Sequence, residues 1–369
     1  MLPRTALEKY CTFVEKESFW FFVEKWADKL HSTIVGNRQL NEPRVVKKIV
    51  QELNGLGFAG IRTYTAFIHQ KPYVWFYDSD LTKKKAELGD LIFIVSVIHK
   101  GRKIFERVTI NQAKKGVAPK IDAEQLFLLS RFPVFRLPRN WGGKVYALPN
   151  YSHCLGSHSL LSNEFTFISS VLLDYALGPG QSFKVGKLRN LFDHEDFLFP
   201  RVILNDDSFS VVNQCISELL TKWEKVWWDW PYYNFLPLLW SGWWYRRMIP
   251  PVPMLLNVGY AWNVRQFAVG YLLSWIGEIV WGNPSSPNPQ TWELIQDIVG
   301  SMAALGDEEV KEFVAKFREY SYEGETPSKG QAVTEGNNGG SIDDKDEEGD
   351  GGGGGFGIVY TEVNLNEID

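Results

Sequence analysis

The chain holds few cysteines: Cys11, Cys154 and Cys215, an odd number and far apart. That excludes a disulfide-built scaffold and points to a reducing, cytoplasmic setting. Met1 to Lys9 carries charges and no apolar run of the kind a secretory leader uses, which agrees. There is no P-loop, no G-x-G-x-x-G, no H-E-x-x-H and no long internal repeat, so the chemistries and solenoids marked by those patterns are not indicated. His153, Cys154 and His158 lie close together, but no second ligand pair at zinc-site spacing accompanies them, and they read as ordinary buried or turn residues. Long apolar runs are missing too. Phe235 to Tyr245 and Phe267 to Trp281 are shorter than the roughly 18 residues a spanning helix needs, and they contain Pro237 and Glu278 respectively. No membrane span is expected.

What is present begins with enough apolar sequence, 44%, to build a sizeable core. Asp90 to Ile98 and Ile104 to Ile110 are rich in β-formers, and His99-Lys100-Gly101-Arg102 between them reads as the turn of a hairpin. A two-residue loop at Lys100-Gly101 sets Asp90 opposite Asn111, and one residue of slack moves it to Gln112. Side chains alternate along a strand, so Gln112 and Lys114 share a face. A carboxylate, an amide and an ammonium thus meet at one end of a hairpin whose two faces are both apolar. Charges in such surroundings cost free energy unless they are paired or bind something. An Asp–Lys ion pair at the mouth of a sheet accounts for these residues, and so does a ligand site.

The elements around the hairpin follow a fixed order. A helix starting at Pro43 and running to about Leu53 puts Val45, Val46, Ile49, Val50 and Leu53 on one face, with Glu42 just before it. An extended stretch from Phe58 to Tyr77 precedes the hairpin. Asp122 caps a helix reaching about Phe132, and Lys144 to Leu148 reads as a further strand. The order is αβββαβ.

With that order and the residues Asp90, Gln112-Ala113-Lys114 and Glu42, residues 40 to 150 resemble the PD-(D/E)xK restriction-endonuclease-like nuclease superfamily, in its Q-x-K, Mrr-like form. The resemblance implies an α/β (α+β) core with a mixed sheet and a magnesium- or manganese-dependent nuclease acting on DNA, with bacterial restriction or antiphage defence as its setting. It assigns catalysis to Asp90, Gln112, Lys114 and Glu42. The metal ligands it implies are Asp90, Gln112, the Ala113 carbonyl and Glu42. Gly89 stands where the motif has proline, and Gln112 where it usually has an acid. Glu87, three residues before Asp90, is a weaker candidate ligand.

Charge is distributed in agreement with a polyanionic partner. Residues 81–150 carry 14 Lys or Arg against 5 Asp or Glu. Lys83, Lys84, Lys85, Lys100, Arg102, Lys103, Lys115, Lys120 and Arg131 are the candidate phosphate contacts. The rest of the chain divides by composition. Residues 1–39 read as a helical segment. Residues 151–320 read as a mainly helical domain that holds most of the tryptophan, between Trp223 and Trp292, and whose aromatics are expected to form a packed core or a partner-binding surface. Residues 321–355 form an acidic, Gly-rich linker, and 356–369 contains a strand-like segment expected to dock on a sheet edge of this chain or of another copy. The competing reading is a non-catalytic nucleic-acid-binding or assembly module on a degraded nuclease fold.

Overall fold

The computed structural model describes residues 4–116, 118–148, 155–162, 165–177, 182, 184–194, 259–280, 289–322 and 354–368. In chain order the first elements are α1 (Arg4–Val14), α2 (Glu17–Gly36), α3 (Glu42–Leu53), β1 (Gly57–Phe58), β2 (Ile61–Ile68), β3 (Tyr73–Tyr77) and β4 (Lys83–Glu87). Next come β5 (Leu91–His99), β6 (Arg102–Lys115), α4 (Ala123–Arg131), β7 (Phe135–Arg136), β8 (Val145–Tyr146), β9 (Gly156–Leu161), β10 (Thr166–Ser169), α5 (Ser170–Leu177) and α6 (Val185–His194). The last are β11 (Tyr260–Ala261), α7 (Val264–Leu272), β12 (Glu278–Ile279), α8 (Pro289–Leu305), α9 (Glu308–Phe317), β13 (Ser321–Tyr322) and β14 (Phe356–Asn364). The chain is mixed α/β, with a large mixed sheet at its centre.

The β5–β6 hairpin turns as expected. Lys100 and Gly101 both take positive φ, 52° and 71°, the backbone of a type I′ turn whose twist suits antiparallel strands. His99 pairs with Arg102 and Ile98 with Lys103; a β-bulge then shifts the register, so that Val97 faces Phe105 and Leu91 faces Asn111. The slack residue is therefore real, and Asp90 comes opposite Gln112. All nine residues of β5 are buried because both faces are covered. Leu91, Phe93, Val95 and Val97 pack with α2, α3 and α7, while Ile92 and Ile94 pack with α4, α8, α9 and a second, smaller sheet.

The large sheet runs β1-β2-β14-β5-β6-β9-β10-β11, with β12 and β13 also paired to β6. The C-terminal strand does not dock on an edge. β14 lies between β2 and β5, antiparallel to the first and parallel to the second, with both ladders filled from Gly357 to Val363. Val359 and Val363 enter one core layer and Ile358 and Tyr360 the other, so only an interior place buries both sets. The Tyr271 hydroxyl of α7 donates to Ile94 O at 2.6 Å and Val359 O at 3.2 Å, tying β14 to β5 from one face.

Two further expectations are corrected. In Lys144 to Leu148 only Val145–Tyr146 is a strand, and it belongs to the small sheet, order β4-β3-β7-β8. The strand beside the hairpin is β9, parallel to β6 with Gln112 opposite His158. Strands from 156 onward share a sheet with β2, β5 and β6, so position 150 falls between neighbours of one sheet, and the described part of 151–320 supplies strands as well as helices. Trp262 and Trp275 there are buried core residues. Trp223 to Trp244, Trp281, His153, Cys154, Cys215 and the acidic stretch up to Gly353 lie outside the described residues. Among the described residues no helix is long and apolar enough to cross a membrane.

A chain ending at Gly355 leaves the β2 and β5 ladders open at the sheet centre. It should lose the cooperative thermal transition of the full chain, and Tyr271→Phe should cost about 1 kcal/mol in denaturant unfolding. A truncated chain that melts with the full-length midpoint would contradict the interior placement.

Candidate functional site

Gly89 leads into β5 with φ +155°, and a Cβ there would lie 2.9 Å from Ile110 Cγ2 and 3.1 Å from Asn111 O. A proline, held at φ near −65°, could not follow this path. Asp90 then turns its side chain toward the Gln112 face. Its Oδ2 accepts the Ala113 backbone N–H at 2.9 Å and the Gln112 side-chain amide; its Oδ1 accepts Lys71 Nζ at 2.8 Å. Lys71 also donates to Glu87 Oε2 at 2.7 Å, and Glu87 Oε1 accepts the Tyr73 hydroxyl at 2.6 Å. Gln112 Oε1 accepts from Gln125 Nε2 on α4. Asp122 caps that helix by accepting the Gln125 N–H at 2.8 Å, so the cap and the amide contact fix Gln125 together.

Glu42 reaches the same strand end from the start of α3, near enough to Asp90, Lys114, Lys71 and the Lys115 backbone N–H to feel all four. Burial, and then the nearby Asp90 carboxylate, raise its pKa to about 7 against the pull of Lys114 and Lys71. Asp90 is raised as well, by burial first, with the Lys71 ammonium opposing. Burial and Glu87 push the Tyr73 hydroxyl up to about 12. The cluster thus holds three carboxylates against two ammonium groups. Lys114 is half-buried on the Gln112 face, with no hydrogen-bond or ion-pair partner among the described residues. His158, beside Gln112, is driven down to about 3 by burial and by Lys114; Nδ1 meets Ser170 Oγ at 3.0 Å, and Nε2 has no partner among the described residues.

Asp90, Gln112, Ala113, Lys114 and Glu42 therefore come to one strand end. Lys71 and Gln125, which the sequence did not single out, complete it together with His158, read there only as an ordinary buried or turn residue. Lys71 lies in the connection before β3, Gln125 on a helix and His158 on a parallel strand, so no local spacing links them to Asp90. The basic candidates divide. Lys83 and Lys85 are exposed on β4, while Lys84 is paired with Glu124 at 3.0 Å and Asp78 at 3.8 Å. Lys100 and Arg102 sit at the hairpin turn, at the opposite end of strands about 30 Å long. Lys103 is buried, paired with Glu106 at 2.9 Å, and cannot meet a phosphate. Lys115 donates to Arg38 O and Leu40 O, bracing the α2–α3 connection. Lys120 is exposed, and Arg131 pairs with Asp174 at 3.6 Å.

No protein-family description, curated protein or solved structure matches this chain. Any role for the site therefore rests on its own chemistry. Among the described residues no group of three His, Cys, Asp or Glu side chains forms a metal cage. The donors at hand are hard oxygens: the Asp90 and Glu42 carboxylates, the Ala113 carbonyl and the Gln112 amide. They suit magnesium or manganese in kind. Rotating the Gln112 and Gln125 amides by 180° exchanges donor and acceptor and turns Gln112 Oε1 toward Asp90.

In metal-free buffer, Glu42 holds its proton up to about pH 7 when folded and releases it near 4.5 when unfolded. Its contribution is complete below pH 4.5 and is lost as pH rises through 7. Glu42→Gln should match the wild type at pH 4 and exceed it at pH 8, by at most about 3 kcal/mol. Parallel stability–pH curves would contradict the burial of this carboxyl.

Proposed function

We propose that this protein is a metal-dependent nuclease that hydrolyses DNA phosphodiester bonds at the open end of the β5–β6 hairpin. The observation that carries the reading is the pairing of Asp90 with Gln112 in a cluster that also collects Glu42 and Lys114. The order α3-β2-β5-β6-α4-β9 supports it, being the αβββαβ order of the PD-(D/E)xK superfamily, here with β14 set between β2 and β5. Burial first, and then a neighbouring carboxylate, raise both Glu42 and Asp90; with Glu87 the cluster has three carboxylates against Lys71 and Lys114, an imbalance that a divalent cation would relieve.

Asp90, Gln112, the Ala113 carbonyl and Glu42 would hold magnesium or manganese, which supplies an activated water and polarises the phosphate. Lys114 has no hydrogen-bond or ion-pair partner among the described residues, so its ammonium orients the attacking water and offsets charge developing at phosphorus. Lys71 remains anchored to Glu87 when Asp90 takes another partner. Restriction or antiphage defence is the setting proposed with this chemistry.

A second reading is favoured by one contact set. Lys71, Gln112 and the Ala113 N–H together satisfy both Asp90 oxygens, as in a closed, non-catalytic nucleic-acid-binding or assembly module. Incubating the full chain with linear and supercoiled DNA and Mg²⁺ or Mn²⁺ separates the two. The nuclease reading expects metal-dependent cleavage, lowered about 10²-fold or more by Asp90→Ala or Lys114→Ala with DNA affinity little changed. Gln112→Glu should preserve or raise cleavage at low magnesium. Absence of cleavage with both metals, or full activity in Asp90→Ala, would overturn the assignment.

A further inference from the structure

The small sheet buries one face and exposes an unusual one. Val74, Phe76, Ala86, Phe135 and Tyr146 point inward to the second core layer. Alternation then sends Tyr73, Trp75 and Tyr77 outward along β3, with Lys85 opposite Trp75, Lys83 opposite Tyr77 and Arg136 of β7 on the other side of Trp75. Tyr77 is 58% exposed and Tyr73 41%. Among the described residues, eight large apolar or aromatic side chains are exposed, and five belong to this sheet or the segments beside its strands: Tyr73, Tyr77, Leu81, Val134 and Val145. Such a concentration marks a surface that meets something.

The cations on this face decide what it meets. Lys83 Nζ lies 4.6 Å and Lys85 Nζ 4.8 Å from the centroid of the Trp75 ring, so ammonium groups and rings are interleaved at strand spacing. The acid on the same face, Glu87, is already held by Tyr73 and Lys71. Rings at every second residue, about 6.8 Å apart, offer stacking surfaces to successive unstacked bases, and the flanking cations offer partners to phosphates. The face also leads to the candidate site through the chain Tyr73 hydroxyl, Glu87, Lys71, Asp90, whose links measure 2.6, 2.7 and 2.8 Å.

We propose that the outer face of the small sheet, centred on Tyr73, Trp75 and Tyr77 with Lys83, Lys85 and Arg136, is a stacking platform for single-stranded nucleic acid that delivers the strand to Asp90. The delivery rests on the nuclease reading of that site; the binding does not. A protein or membrane surface would also use exposed rings, but charge complementarity favours a polyanion with flat, stackable groups.

The test is fluorescence anisotropy of a labelled oligothymidylate and of a duplex of equal length, with the full chain in EDTA so that cleavage is absent. The single strand should bind more tightly than the duplex. Trp75→Ala with Tyr77→Ala should weaken it tenfold or more, as base–ring stacking is worth about 1–3 kcal/mol per base. Lys83→Ala with Lys85→Ala should weaken it and flatten its salt dependence. Lys100→Ala with Arg102→Ala, at the far end of the hairpin, should leave it unchanged. Tyr77→Ala alone, at an exposed position, keeps the test valid if the Trp75 variant misfolds. No binding, equal affinity for duplex, insensitivity to the ring variants, or loss of anionic-vesicle binding in place of oligonucleotide binding would each overturn the platform. Ring-dependent binding in a chain that never cleaves DNA would uphold the platform and remove the nuclease; cleavage and binding both indifferent to the rings would do the reverse.

Discussion

The bulge between Val97 and Ile98 governs the far end of the β5–β6 ladder. Without it the two-residue turn would set Asp90 opposite Asn111, whose side chain belongs to the other face and bonds Ser157 and Ser159 of β9. With it, Asp90 meets Gln112, and every later contact at the site follows from that registration. A one-residue slip changes which face a strand presents, so the register is fixed by all the core side chains along both strands. Leu91 to Val97 and their partners in two core layers hold it in place.

The ladder in turn depends on the strand beside it. β14 fills the edge of β5 that the hairpin leaves open, and it comes from the last described segment of the chain. Asp90 O accepts the N–H of Gly357 at 2.9 Å, so the start of β14 touches the backbone of the site residue itself. The start of β14 is thus one hydrogen bond away from Asp90.

Local pattern made α3, α4 and the hairpin legible: apolar spacing in Val45 to Leu53, the Asp122 cap, and two β-rich runs around Lys100-Gly101. What failed was non-local. The sequence 356–364 looks like any strand, and nothing local says that β2 and β5 leave a gap for it. Gly156 to Leu161 lies in the region read as mainly helical, yet it is a strand whose Ser157 and Ser159 are buried in hydrogen bonds to Asn111. The stretch from Phe58 to Tyr77 divides between two sheets at Lys71-Pro72, and that division is what carries Lys71 to Asp90. Treating Lys100 and Arg102 as neighbours of the site ignored strand length. Lys103 shows the opposite hazard, since a lysine in a basic run is here a buried partner of Glu106.

The proposed function makes Asp90 a cation position, taken by the Lys71 ammonium when no divalent ion is present. Removing that ammonium tests it. Lys71→Met strands a buried carboxylate and should cost about 3–5 kcal/mol in metal-free buffer. The decisive measurement is the melting temperature of the Lys71→Met chain with and without Mg²⁺ or Mn²⁺, with Lys71→Met/Asp90→Asn as the control. Divalent ions should recover much of the lost stability in the single variant and none in the double. Equal melting temperatures with and without the ions would contradict a cation site at Asp90.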